Sequence, residues 1–166
     1  MSNLSTWFDP ESKRAKAGLA FQSKALEELQ ALGVKAISVP NWLRKLDSEL
    51  SSQQIWMLEK IWGDVVCLKK DGTKLFLECV TATSETTLFP TSKIWNFSAP
   101  NKWYLFGWDE HRHFVPSVSW NSYVSKIEEK VQREADMAVV VPRRYLASMR
   151  CGTHGVKSFC EENGLI

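Results

Sequence analysis

The chain has 166 residues, 44% of them hydrophobic and 24% charged, with a formal net charge of +2. This length suits one globular domain that buries roughly two-thirds of its unfolded surface and needs no covalent staples. The small net charge excludes a highly basic nucleic-acid coat, so any polyanion must be met by local clusters of Lys and Arg.

Asp9-Pro10-Glu11-Ser12 reads as a helix start, with Asp9 as N-cap and Pro10 at the first position. The helix is predicted to run to about Leu32 and to stop at Gly33, with Phe21, Ala25, Leu29 and Leu32 on one face. Val34 to Val39 reads as a strand closed by Pro40. Between Asn41 and Trp62, Asp47 or Ser51 is placed to cap a helix carrying Ile55, Leu58 and Trp62. Gly63 to Ala82, "GDVVCLKKDGTKLFLECVTA", gives two strands joined at Lys70-Asp71-Gly72. A short helix follows over Pro90 to Ala99, and then strands over Lys102 to Trp108 and His113 to Pro116 around a turn at Asp109-Glu110. Ser122 to Ala135 is charged and amphipathic and reads as a helix. Met137 to Val141 reads as a strand ended by Pro142, and the tail from Arg143 as one or two short helices around a Gly152/Gly155 loop. This order predicts an α/β fold with a mixed central sheet flanked by helices. It predicts one domain over 1–166, with a core at about 12–118 and a helix-strand-helix extension at about 119–166.

Cys67, Cys79, Cys151 and Cys160 form no C-x-x-C pair, and the three histidines complete no zinc pattern. The N-terminus lacks the apolar centre of a signal peptide, and no apolar run approaches the length of a membrane span. A reduced, cytoplasmic protein with no membrane partner is the expectation.

The hairpin carries one carboxylate on each strand, Asp64 and Glu78. Side chains alternate across a strand, so the register decides whether the two meet. A two-residue turn puts Asp64 opposite Cys79; a three-residue loop over Lys70-Asp71-Gly72 puts it opposite Glu78. Opposed like charges on an otherwise apolar sheet are costly without a cation or a proton. Two carboxylates and the Cys79 backbone carbonyl would suit Mg²⁺ or Mn²⁺, hard ions that take oxygen ligands and keep several waters. The plainer alternative puts Asp64 in a turn and Glu78 in solvent at a strand end.

The order of elements and residues here resembles the PD-(D/E)xK nuclease superfamily, in particular its Holliday-junction-resolvase-like and restriction-endonuclease-like branches. "KAGLAFQSKALEELQALGVKAI" looks like the family's first helix and its exit, "GDVV" like the Asp strand, and "LFLECVTA" like the Glu-x-Lys strand. "FPTSKIWNF" looks like the following helix and "KWYLFGWDEHRHFVPS" like the last strand pair, so the resemblance spans roughly Lys16 to Pro116. It implies a restriction-endonuclease-like fold and metal-dependent hydrolysis of nucleic acid phosphodiesters, DNA being favoured over RNA. It implies catalytic roles for Asp64 and Glu78 and metal ligation by Asp64, Glu78 and the Cys79 carbonyl. Many proteins of this fold are dimers, which makes a homodimer a candidate assembly, although no dimer face is marked.

Two positions depart from the family. Val80 stands where the family has the lysine that orients or deprotonates water, and Gln22 stands where its first helix often has glutamate. Lys93, at the start of the next helix, is a candidate displaced lysine, and Gln22 a candidate partner of a water near the ion. Each has a plainer reading, as a solvated helix lysine and as a polar residue on a helix flank. The alternative function is a catalytically inactive nuclease-fold protein that binds nucleic acid or a protein partner.

Candidate nucleic-acid contacts are Lys16, with Lys13, Arg14 and Lys24 nearby, and the sharper group Arg143, Arg144 and Arg150 in "PRRYLASMR", where Tyr145 lies among the arginines. A surface helix is the plainer account of that group. Of Trp95, Trp103, Trp108 and Trp120, most are expected in the core, with one or two left to stack on unpaired bases. His111 and His113 alternate on a strand but lack a third metal ligand. No Gly-rich phosphate loop and no nucleophile elbow are present.

Overall fold

The computed structural model describes residues 13–82, 85–133, 136–148 and 152–166. The first helix, α1 (Lys13–Ala31), presents Ala25 and Leu29 as its buried stripe. It ends at Gly33, whose φ of 87° lets Val34 N–H reach back to Leu29 O at 3.1 Å. The proposed start at Asp9 lies outside the described residues.

Strand β1 (Lys35–Ser38) is followed directly by α2 (Val39–Leu46). Pro40 therefore opens a helix instead of closing the strand. Its fixed φ and missing N–H suit a first turn, and Ser38 Oγ caps that turn from Asn41 N–H at 3.3 Å. Helix α3 (Ser52–Trp62) is capped by Ser51, whose side chain accepts from Gln54 N–H while the Gln54 side chain accepts from Ser51 N–H.

Strands β2 (Val65–Leu68) and β3 (Lys74–Thr81) form the expected hairpin. After them come β4 (Thr86–Pro90), α4 (Thr91–Asn96), β5 (Lys102–Trp108), β6 (His111–Pro116) and α5 (Ser117–Val124). The chain ends with β7 (Lys130–Arg133), β8 (Asp136–Pro142), α6 (Arg144–Ser148), β9 (Thr153–His154) and α7 (Val156–Glu162).

The main sheet has the order β1-β2-β3-β5-β6-β9. Only β3 and β5 run parallel; the other neighbours are antiparallel. Its odd-numbered side chains on β2, β3 and β5, including Val65, Cys67, Leu75, Leu77 and Leu105, pack against Ala25 and Leu29 of α1 and Phe159 of α7. Its even-numbered ones, including Val66, Phe76, Val80, Tyr104 and Phe106, face α2, α3, α5 and a second sheet ordered β4-β8-β7. Phe89 of that second sheet meets Tyr104 edge-on at 5.0 Å and Trp120 at 5.6 Å. Each such fully buried aromatic contributes about 2–3 kcal/mol through removal from water.

Several expectations change. Residues 122–135 are not one helix: α5 ends at Val124, and Lys130–Arg133 form β7, which pairs with β8. Of the charged residues that suggested a helical face, Lys126, Glu128 and Glu129 fall in the connection after α5, and Lys130 lies on the edge strand, where charge blunts unwanted pairing. Residues 119–166 are not a helix-strand-helix appendage either. Strand β8 joins β4 and β7 in the second sheet, and β9 adds to the edge of the main sheet by pairing His154 with His113. No helix among the described residues is long and apolar enough to cross a membrane.

Candidate active site

The hairpin loop is the three-residue form. Lys69 N–H bonds Thr73 O at 2.8 Å, Gly72 has a φ of 89°, and Asp71 Oδ1 accepts from Thr73 N–H and Oγ1 at 2.9 and 2.6 Å. The ladder then pairs Leu68 with Lys74, Cys67 with Leu75, Val66 with Phe76 and Val65 with Leu77. One step further along that register, Asp64 faces Glu78.

Asp64 is fixed by its backbone and its side chain together. Its N–H donates to Leu77 O at 2.7 Å, its carbonyl accepts from Val39 N–H at 2.8 Å, and its Oδ2 accepts from Cys79 N–H at 2.8 Å. The residue before it must be glycine. Gly63 has a φ of 82°, and a Cβ there would stand 2.6 Å from Leu77 O.

Glu78 lies on the same face of β3 as Phe76 and Val80 and is 9% exposed. Its Oε1 accepts from Lys93 Nζ at 3.0 Å. Lys93 sits in α4, and that helix is held from below. Asn121 Nδ2 donates to Phe97 O at 2.8 Å, and the Tyr104 hydroxyl donates to Asn121 Oδ1 at 2.8 Å. The same hydroxyl lies 3.3 Å from both Lys93 O and Phe97 O. Phe89 and Phe97 complete an apolar floor against the Tyr104 ring.

Electrostatics follow from burial. The Asp64 carboxyl is held well above the usual carboxylate range by loss of water and then by Glu78; Lys93 and the Cys79 N–H pull the other way. Burial alone would push the Lys93 amine down, but Glu78 and Asp64 outweigh it and hold the amine above its ordinary value. A third carboxyl, Glu59 of α3, is raised to about 7 by burial and by Glu78, with Arg44 opposing. Glu59 was not singled out from the sequence. The signal was available: it follows Ile55 by four residues on the buried stripe of a helix that ends just before Asp64.

Three carboxyls share this part of the protein with the Lys93 ammonium and, at Glu59, the Arg44 guanidinium, an excess of acidic groups that a divalent cation would relieve. Among the described residues no group of three or more His, Cys, Asp or Glu is arranged to hold a metal. An ion at Asp64 and Glu78 would therefore complete its shell from backbone and water, as Mg²⁺ does readily. The Cys79 backbone suits this. Odd-numbered backbone groups of β3 point toward β2, where Leu77 O and Cys79 N–H both engage Asp64, and β2 ends before Cys79.

The other candidates lie elsewhere. Gln22 is half-buried on α1, whose stripe packs on the opposite side of the sheet from Glu78, and no hydrogen bond joins it to Asp64, Glu78 or Lys93 among the described residues. Lys16 is exposed on the same helix. Arg143 and Arg144 line a cavity of about 640 Å³ with Glu85, Trp108, His111 and His154. In it His111 stacks on Trp108 at 5.2 Å, and Arg143 Nη1 donates to Ala82 O at 3.1 Å. Arg150 lies outside the described residues. His113 is buried and pairs with His154, Nδ1 to Nδ1 at 3.1 Å, which accounts for it as a structural residue. Trp120 is core, whereas Trp95 is 82% exposed.

No protein-family model and no curated protein matches the chain in sequence. Among solved structures the fold is similar to that of Hjc from Archaeoglobus fulgidus, a Holliday junction resolvase from an archaeal hyperthermophile, with a TM-score of 0.51 at 13% identity. The match covers 90% of this chain and 98% of that one. It is a likeness of fold: a mixed sheet flanked by helices, of the restriction-endonuclease-like kind, which brings the Asp64 strand, the Glu78 strand and the Lys93 helix together.

Proposed function

We propose that this protein is a metal-dependent nuclease that hydrolyses phosphodiester bonds in nucleic acid, DNA in preference to RNA. The observation that carries the reading is the 3.0 Å approach of Lys93 Nζ to Glu78 Oε1. It supplies from the next helix the ammonium group that Val80 does not provide. The resolvase description of the structural neighbour and the resemblance of the two carboxylate strands to the PD-(D/E)xK pattern support the same reading.

In this reading Asp64, Glu78 and the Cys79 carbonyl would hold Mg²⁺ or Mn²⁺, and the ion would supply Lewis-acid polarisation and charge neutralisation for the phosphate. Lys93 places its ammonium against the scissile phosphate and keeps its proton there because the carboxylates favour the charged form. The apolar floor of Phe89, Phe97 and Tyr104 keeps the groups in place and limits the water around them. Arg143 and Arg144, beyond the end of β3, hold the nucleic acid backbone at a distance from the cut.

The test is a cleavage assay with labelled single-stranded, duplex and four-way-junction DNA and with RNA, with and without Mg²⁺ or Mn²⁺. Wild type is compared with the Asp64→Ala/Glu78→Ala double variant, and melting of both is followed as metal is added. Metal-dependent cleavage and metal-dependent stabilisation, both absent from the double variant, are expected. Cleavage that survives in that variant, or a wild type that neither binds metal nor cuts, would overturn the proposal.

A further inference from the structure

The cavity of about 640 Å³ beyond the end of β3 gathers polar side chains from separate parts of the chain. His111 opens β6, Arg143 and Arg144 stand where β8 gives way to α6, and His154 lies on β9. Strand register puts the cavity on the face of the sheet that carries Glu78. Glu78 neighbours Tyr104 in the β3–β5 ladder, Trp108 follows on the same face of β5, and His111 is the partner of Trp108 on β6. Four residues of strand separate Tyr104 from Trp108, so the floor of the cavity lies roughly 13 Å from the Glu78 row.

The polar groups there have donors to spare. Arg143 Nη1 donates to Ala82 O at 3.1 Å, and its guanidinium has several further N–H donors. Arg144 is exposed, rests 5.2 Å from the Tyr145 ring and makes no hydrogen bond or ion pair among the described residues. His154 engages His113 through Nδ1, which leaves its Nε2. No hydrogen bond among the described residues holds the ring nitrogens of His111. One carboxyl, the exposed Glu85, also lines the cavity.

We infer that this cavity binds a phosphate monoester, the terminal phosphate of the nucleic acid that the carboxylate site cuts. The inference rests on the nuclease reading above and narrows its substrate to strands with a phosphorylated end. Cations for a passing backbone stand in a row, whereas donors set around a concavity suit a group that ends there. A terminal phosphate offers three acceptor oxygens and close to two negative charges near neutral pH. A phosphate within the strand carries one charge and has to enter and leave the cavity. Guanidinium groups match the oxygens of a phosphate in pairs. Trp108 has His111 stacked against it and the Arg143 guanidinium carbon 5.8 Å from its ring, so the cavity suits a phosphate and not a base.

The experiment measures binding by fluorescence anisotropy without divalent metal, using internally labelled strands of about 12 nucleotides, single and duplex. One sequence carries a 5′-phosphate, a 3′-phosphate or hydroxyls at both ends, and inorganic phosphate is tested separately for thermal stabilisation. Wild type is compared with Arg144→Ala, Arg144→Lys and His111→Ala, each first shown by circular dichroism to be folded. One of the two phosphorylated ends should bind about tenfold more tightly than the hydroxyl form. Arg144→Ala and His111→Ala should each cut that preference to less than about threefold, and Arg144→Lys should restore part of it. If wild type binds and cuts DNA but prefers neither phosphorylated end, this inference fails while the nuclease reading stands. If the preference survives both alanine variants, the end is held elsewhere and the cavity assignment fails. If inorganic phosphate stabilises wild type but not Arg144→Ala, and no phosphorylated end is preferred, the cavity takes a free anion and the strand-end assignment fails. If wild type neither binds nor cuts nucleic acid, the nuclease reading has failed and this inference with it.

Discussion

Lys93 and Glu78 form a 3.0 Å ion pair across a separation of fifteen residues, one on a short helix and the other in the centre of a sheet. The pair is partly shielded, with side chains 26% and 12% exposed, and it stands beside Asp64 and Glu59, of which Glu59 also feels Arg44. In the proposed enzyme this geometry replaces the lysine that would otherwise stand at Val80. Val80 is on the same face of β3 as Glu78, so an amine from either position reaches one region.

Lys93→Ala should lower cleavage by about 10²-fold or more, the usual loss when one preorganised charge is taken from a phosphoryl-transfer site. Lys93→Ala/Val80→Lys should recover about tenfold of that loss, because the amine returns to the same face of β3. Single-turnover cleavage under saturating Mg²⁺ checks both. An equal rate for Lys93→Ala and wild type would show that the ion pair is structural only.

Glu59 and His113 pull the pH dependence of stability in opposite directions, with Asp64 acting in the same sense as Glu59. Glu59 is raised from 4.5 to about 7, so between those values the folded protein holds more protons than the unfolded chain, and stability falls as pH rises through about 7. Glu59→Gln should remove its share of that fall. It should gain about 1–2 kcal/mol above pH 7, where partial access of water screens the charge, and little below pH 4.5. His113 works in reverse. Burial and then His154 lower it from 6.5 to about 4, so its contribution is present above 6.5 and is lost as pH falls through about 4. Urea midpoints across this range, for wild type, Glu59→Gln and His113→Gln, separate the two slopes.

Gly63→Ala tests how Asp64 is aimed. The substitution places a Cβ in a left-handed backbone, 2.6 Å from Leu77 O, a backbone atom that cannot swing aside. It should cost about 2–3 kcal/mol and shift Asp64 away from the Cys79 N–H. Cleavage should fall more steeply than stability, and comparing activity with the urea midpoint of the same variant distinguishes the two.

Arg112 tethers α1 to the β5–β6 hairpin. Its guanidinium donates to both oxygens of Glu28, at 3.1 and 3.0 Å, and to Asp109 O and His111 O, and the residue is 6% exposed. Arg112→Ala should destabilise by about 1–2 kcal/mol, because it removes the paired contact to the half-exposed Glu28 and the donors to two backbone carbonyls. Arg112→Lys should rescue less than half, since an ammonium cannot make the paired contact. Thermal unfolding with and without salt is the measurement.

Short stretches of the chain narrowed the local structure on which the site stands to a few alternatives. At Lys70-Asp71-Gly72 a two-residue and a three-residue turn both fitted the sequence, and the observed three-residue loop with its left-handed glycine aligns Asp64 with Glu78. Gly33 as a helix end was legible because the interaction spans only a few residues, and of the two candidate caps, Asp47 and Ser51, the structure uses Ser51 for α3. Tertiary structure decided the rest. Whether Lys93 meets Glu78 or water depends on where α4 lies on the sheet, and Asn121 and Tyr104, far away in the chain, fix that. Glu59 enters the site only because α3 packs beside Glu78. The charged run at 122–135 follows the same rule: an amphipathic pattern serves a helix or an edge strand, and the partner strand β8 selected the strand at Lys130–Arg133.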